Sequence, residues 1–268
     1  MQNAITIEGS MLASAHRLTH LELSNESDDD DDDEEEMFVV QPAVLAGKTS
    51  VRYLCLMDCT IAGDSAGVTE FMSHLGELKQ LTYLNLMSSL RFVALVASYS
   101  ALTASSNLQQ MDLQTCVLPE GVWQHMFPTG RRLPHLQWLI IEYVRTPSGV
   151  ASTTPDGGSL VSCCPVLQIL QMDGLKHSAG LLSSLTGLSS LTHLGLRPVG
   201  DDILPEGLDV VCRLTQLQSL HVSDFHDPEA GLLQLAKLRQ LTQLSLSGFV
   251  AGRRRHLKYE CEVSDFLY

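Results

Sequence analysis

Across 268 residues, 31 Asp and Glu outnumber 17 Lys and Arg, giving a formal net charge of −14. That balance argues against a nucleic-acid binder, which needs a basic face to meet phosphates. No stretch approaches the roughly 18–20 apolar residues that span a bilayer, and "MQNAITIEGSMLASAHR" lacks a basic segment followed by an apolar block, so neither a membrane span nor a signal peptide is expected. Seven cysteines are scattered, odd in number and without a Cys-x-x-Cys pair. Such usage fits reduced thiols in a cytoplasmic or nuclear protein better than a disulfide framework.

In chain order, "AITIEG" reads as the tail of an earlier unit cut short. Residues 1–17 are therefore expected to be a cap or truncated repeat, and the chain a fragment of a longer protein. From residue 18 a hexapeptide with apolar residues at positions 1, 4 and 6 recurs. It reads LTHLEL (18), VRYLCL (51), LTYLNL (81), LQQMDL (108), LQWLII (136), LQILQM (167), LTHLGL (191), LQSLHV (217) and LTQLSL (241). The first unit holds an acidic insert, 26–36, whose run Asp28–Glu36 carries nine of the charges; removing them from −14 leaves −5. A homopolymeric run of this kind repels itself and stays solvated.

Between the hexapeptides, "GVTEFMSHLGEL", "LRFVALVASYSALTASS" (90–106), "GLDVVCRL" and "EAGLLQLAKL" have helical periodicity. "RTPSGVASTTPDGG" (145–158) is dense in turn formers and reads as a flexible excursion. Beyond residue 250 a C-terminal cap is expected over 251–268. There "HLKYECEV" alternates like an edge strand, and Arg253, Arg254 and Arg255 read as a solvated turn or, alternatively, a basic patch.

Forty-six leucines would give about one strict Leu-x-x-Leu-x-Leu by chance, and the chain has four, at spacings of 24 to 33 residues. This pattern resembles the leucine-rich repeat family over nearly the whole chain. Positions 4 and 6 lie two apart, so on a short strand both point inward, and position 1 reaches the same core from the preceding turn. One unit cannot bury its leucines alone; stacked units bury them in a column. The expected fold is α/β, a leucine-rich repeat solenoid of about nine units over 18–250, horseshoe-like. Short parallel strands would line its concave face, with helices or irregular segments on the convex face. A helical bundle is the alternative, but the Leu-x-Leu step breaks the helical period. The family's ninth position, usually Asn or Cys, is matched by Cys59 and Cys116, while Ser89, Val144, Leu175 and Val199 depart from it. Locally, "LVSCCPVLQIL" resembles the cysteine-containing repeats of F-box substrate receptors, which implies that Cys163 and Cys164 are structural.

Positions 3 and 5 of each unit should face the concave surface. Tyr53, Tyr83, Trp138 and Ile140, with Met57, Met87 and Tyr143 beside them, would make an apolar belt over units two to five. Asp58, Asp112, Glu142, Asp173 and Asp224 would surround it with negative charge, against Arg52 and Arg197. Tyr and Trp are enriched at binding hot spots. The expected protein-binding residues are Tyr53, Tyr83, Asp112, Trp138, Ile140, Glu142 and Tyr143, and the partner a protein or peptide that is basic or partly apolar. Leucine-rich repeats are commonly binding modules, so the resemblance implies an intracellular, cytoplasmic protein-binding scaffold or adaptor. The alternatives are the substrate-recognition arm of an F-box-type ubiquitin ligase and a cytoskeletal or axonemal scaffold. No catalytic, cofactor or metal motif is present: no HExxH, GxSxG, Walker loop or GxGxxG. An enzyme would need His221 close to Cys55, or to a buried carboxylate inside a closed pocket.

Overall fold

The computed structural model describes residues 4–25, 37–177, 180–199, 210–223, 235–250 and 253–255. In chain order its strands are β1 (Ala4–Ile7), β2 (His20–Ser24), β3 (Met37–Val40), β4 (Tyr53–Met57), β5 (Thr60–Ile61), β6 (Tyr83–Asn85), β7 (Gln110–Asp112), β8 (Trp138–Glu142), β9 (Ile169–Leu175), β10 (His193–Pro198), β11 (Ser219–Ser223), β12 (Gln243–Val250) and β13 (Arg253–Arg255). Nine of these begin on the third residue of a hexapeptide and pair in parallel, each with the next unit, in the order β2-β4-β6-β7-β8-β9-β10-β11-β12. Register follows repeat position without a slip through the first units: Leu21 pairs Leu54, Leu54 pairs Leu84, and Leu84 pairs Met111.

The reason lies in the backbone as much as in the leucines. At position 2 one carbonyl accepts two N–H groups from the next unit: Thr19 from Arg52 and Tyr53, Arg52 from Thr82 and Tyr83, and so on to Gln218 from Thr242 and Gln243. Each unit thus enters the sheet already locked to its neighbour. Inside, Leu54, Leu84, Leu139 and Leu170 at position 4 are fully buried, as are Leu56, Leu86, Ile141 and Leu196 at position 6. Toward the ends, Leu18, Leu23, Leu241 and Leu244 are only partly covered, as a stacked column requires of its terminal layers.

On the returning limb, α1 (Ser65–Leu75) is capped by Asp64, whose carboxylate accepts the Ala66 N–H at 2.8 Å, and it buries Val68, Phe71, Met72 and Leu75. Two shorter helices follow, α2 (Trp123–Met126) and α3 (Gly157–Cys163), the second capped by Asp156 onto the Ser159 N–H at 2.8 Å. The helix expected over 90–106 is shorter and tighter, a 3-10 helix over Val96–Thr103. Its three-residue period lets Tyr99, Leu102 and Thr103 reach the core, and Arg131 caps its end on the Ser100 and Thr103 carbonyls. A further helix, α4 (Leu181–Leu185), precedes β10. Of the two helices expected at 207–214 and 229–238, Val210, Val211 and Leu235 are helical and most of the remainder lies outside the described residues.

Three features depart from expectation. The AITI segment, β1, pairs in parallel with β3, and β3 with β5, making a second, three-stranded sheet. Segment 145–158 is no loose excursion. Arg145 bridges Val117 on one side and Ala151 on the other, and Thr153 bridges Lys176, so the insert forms a hairpin spliced into the returning edge. Trp123 donates its indole N–H to the Thr153 carbonyl, and Ser152 and Thr154 are buried. Finally, Arg253–Arg255 is not a turn. It is β13, antiparallel to β12, and it covers the sheet edge. The acidic run and the alternating stretch 257–263 lie outside the described residues.

Candidate functional site: the concave face

Side chains at positions 3, 5 and 7 form three rows across the sheet. The position-3 row begins His20, Tyr53, Tyr83, Gln110, Trp138, Ile169 in direct register. Its first three rings are stacked: His20 on Tyr53 with centroids 3.8 Å apart, and Tyr53 on Tyr83 at 4.2 Å. Much of the aromatic surface expected to be free is therefore spent between units. Gln110 then separates Tyr83 from Trp138, so the apolar belt is two patches rather than one. Trp138 is 40% exposed. Ile140, half-buried, lies between Asp112 and Gln171 in the position-5 row.

The first half of the position-5 row is more closed than the pattern suggests. Cys55 and Asn85 are buried, and burial, with Glu22 and Asp112 nearby, pushes the Cys55 thiol up to about 11. Asn85 and Asp112 are adjacent in register and do the same local work. Each side-chain oxygen accepts the N–H two residues on, Met87 at 2.8 Å and Gln114 at 3.1 Å. These turns end β6 and β7 after three residues.

Beyond that point the face is dominated by charge. Asp112 on β7, Glu142 on β8 and Asp173 on β9 are brought together, and Glu142 pairs with Asp173 and Asp173 with Arg197 of β10. Glu142 is 9% exposed and Asp173 6%. Burial first, then the charges of Asp173 and Asp112, push the Glu142 carboxyl up to about 7, while Arg197 opposes the shift. Burial likewise raises Asp112 and Asp173; for Asp173, His221, Arg197 and the Gln171 side chain pull the other way. The desolvation is strong enough to outweigh a nearby guanidinium, because a carboxylate in a low-dielectric wall loses more hydration than one partner restores.

Tyr143 reaches this cluster by an unusual route. At position 8 the backbone turns off the sheet through the left-handed region in successive units: Asp58 (φ 54°), Ser88 (58°), Thr115 (52°), Tyr143 (51°) and Gly174 (68°). Each of the four non-glycine residues donates its N–H to the position-7 carbonyl of the next unit, which offsets the cost of that conformation. The Tyr143 ring lies over Gly174, where a Cβ would come within 2.5 Å of Tyr143 Cδ1. Past that gap the Arg197 guanidinium donates to the Tyr143 hydroxyl at 3.1 Å. Of the seven expected binding residues, Asp112, Glu142 and Tyr143 thus converge with Asp173 and Arg197, Tyr53 and Tyr83 form a separate stack, and Trp138 and Ile140 stand between.

At position 9 the Cys59 thiol meets the Leu23 carbonyl at 3.5 Å and the Cys116 thiol meets that of Leu86 at 3.1 Å. Ser89, unlike the family pattern, makes the same bond, to the Leu56 carbonyl. Val144 and Leu175 then replace this ladder with buried apolar side chains. Burial raises Cys59 and Cys116 to about 12, and raises Cys163 and Cys164 as well. Cys55 and His221 lie six strands apart in the sheet. His221 does approach the buried Asp173, though along a row of half-exposed side chains. Among the described residues no group of three His, Cys, Asp or Glu is placed to hold a metal ion, and no helix is long and apolar enough to cross a membrane.

No protein-family model and no curated protein matches the chain in sequence. Solved structures do match its fold. The plant peptide hormone receptor RGFR1 in complex with RGF2 aligns at 14% identity and a TM-score of 0.56, over 91% of this chain and 38% of the receptor chain. An internalin from Listeria monocytogenes aligns at 17% identity and a TM-score of 0.50, over 89% of this chain and 70% of its own. The chain therefore spans well under half the length of the plant receptor. At such identities the likeness fixes the architecture, and that architecture is the leucine-rich repeat solenoid.

Proposed function

We propose that this chain is an intracellular, non-enzymatic scaffold or adaptor that recognises a protein or peptide through its concave face. The observation that carries the reading is the juxtaposition on one sheet of the exposed Trp138 and the half-buried Ile140 with the half-buried Asp112 and the buried carboxylates Glu142 and Asp173. A basic, partly apolar segment laid across β7 to β10 would restore hydrogen bonds to those carboxylates and cover the indole. Peptide binding by the plant receptor supports the class of partner. Six buried cysteines that form no disulfide among the described residues support a reducing compartment and a cytoplasmic location.

The test is quantitative affinity capture from cells of the source organism, with wild type against Tyr83→Ala/Trp138→Ala. Both baits are first matched in thermal unfolding, because Tyr83→Ala also removes a stacked ring contact worth about 0.5–1.5 kcal/mol. A set of proteins lost with the double variant assigns the concave face and names the partner. An unchanged set removes the concave reading. Ligase subunits retained by both baits would point to the ubiquitin-ligase alternative.

A further inference from the structure

A second site lies away from the concave face, where the first three units turn into the sheet. Arg17, Arg52 and Lys79 line an open cleft of about 690 Å³ together with the hydroxyl residues Thr19, Thr49 and Ser50, and with Glu77 and Gln80. The three cations come from consecutive units but from different repeat positions. Arg17 immediately precedes the first hexapeptide, Arg52 is the second residue of the next, and Lys79 stands two residues before the third. Their convergence is a property of the stacked fold rather than of one segment. In the remaining units the second hexapeptide residue is Thr or Gln, so Arg52 is a charged exception in that row.

Among the described residues none of the three side chains makes a hydrogen bond or ion pair, Glu77 included as a possible partner. Three cations, none of them engaged with the one carboxylate of the cleft, Glu77, stand beside three hydroxyls that can add further donors. Guanidinium forks match the spacing of oxyanion oxygens, and a lysine adds a point charge. The overall charge of −14 narrows the ligand. A long polyanion such as nucleic acid, or an anionic membrane, would bring many phosphates against an acidic body, whereas a single phosphomonoester presents its charge only where the cations are.

We infer that this cleft is a binding site for a phosphorylated side chain of a protein partner, held by Arg17, Arg52 and Lys79 with hydroxyl support from Thr19, Thr49 and Ser50. It is independent of the concave site and stands or falls without it.

The experiment titrates N-acetyl-O-phosphoserine amide into the intact chain and follows the arginine side-chain N–H signals by NMR, with N-acetyl-serine amide and N-acetyl-glutamate amide as controls. The phosphorylated probe should shift the Arg17 and Arg52 signals saturably and the serine probe should not. Arg52→Gln and Lys79→Gln should each weaken binding about tenfold, as expected for loss of one charge-assisted contact. Both residues are exposed, and an unchanged backbone spectrum verifies each fold. Three results overturn the site: no saturable shift, equal response to the glutamate probe, or equal affinity in both variants. Preferential binding of a DNA duplex or of anionic vesicles through the same residues overturns the assignment of the ligand.

Discussion

Replacing Glu142 by Gln should stabilise this protein at neutral and alkaline pH and leave it unchanged in mild acid. Gln keeps the shape of the side chain but cannot ionise. In the wild type the carboxyl is raised from 4.5 to about 7, so the folded state holds a proton that the unfolded state releases. Below 4.5 both states are protonated and no penalty exists. As pH rises from 4.5 to about 7, unfolding releases a proton and stability falls; above 7 the full penalty applies. A shift of this size corresponds to about 3 kcal/mol if undiminished. Solvent at the cluster's open side and the mutual influence of the three carboxylates reduce it to about 1–3 kcal/mol. For a chain of this length that is a difference of several degrees in Tm. The assay compares urea and thermal unfolding of wild type and Glu142→Gln from about pH 4 to about pH 8. The two curves should meet at the acidic end and separate steadily. Asp112 and Asp173 are raised in the same direction, so they too should cost the wild type stability as pH rises. A pH-independent gap, or a variant weaker at alkaline pH, would refute the reasoning by showing that the Glu142 carboxylate is held as an anion.

Gly174→Ala should cost more than the roughly 1–2 kcal/mol of a left-handed alanine, because the new methyl meets the Tyr143 ring. In a Tyr143→Ala background the excess should vanish, which a double-mutant cycle of unfolding free energies measures. With Cys261, which lies outside the described residues, changed to Ser, the native protein should react slowly with a thiol reagent even at mildly alkaline pH, and denaturant should expose six reactive thiols at once. Leu194→Ala, at a site 2% exposed, should destabilise by about 2–5 kcal/mol, read from the urea midpoint.

The strand positions were legible because leucine at positions 4 and 6 obeys a two-residue period that a helix breaks, and every unit repeats it. The second sheet was not. Its strands, AITI, MFVV and Thr60–Ile61, follow no common phase with the hexapeptide, and the acidic insert separates one of them from its unit. The left-handed turns were hidden because only Gly174 announces one; Asp58, Ser88, Thr115 and Tyr143 carry no such mark in sequence. On the concave face, residue types predicted which side chains share a surface but not which spend that surface on each other. Tyr53 and Tyr83 have the composition of a hot spot and the geometry of a ladder. Glu142 looked like one acid among several until burial beside Asp173 set it apart. The convergence of Arg17, Arg52 and Lys79 escaped notice because each belongs to a different phase of the repeat, and Arg52 was read only against the concave belt.

The hairpin spliced between Arg145 and Lys176 has a mechanical side. On the returning edge it places an additional rung between two units whose concave strands, β8 and β9, remain direct neighbours. A rung present behind and absent in front acts as a wedge, fanning the two halves of the stack about the line between β8 and β9. Glu142 and Asp173 sit on either side of that line, as do the aromatic half of the face and the half that carries Arg197. Length changes in this hairpin should therefore alter the angle between two halves of one surface without changing a residue on it.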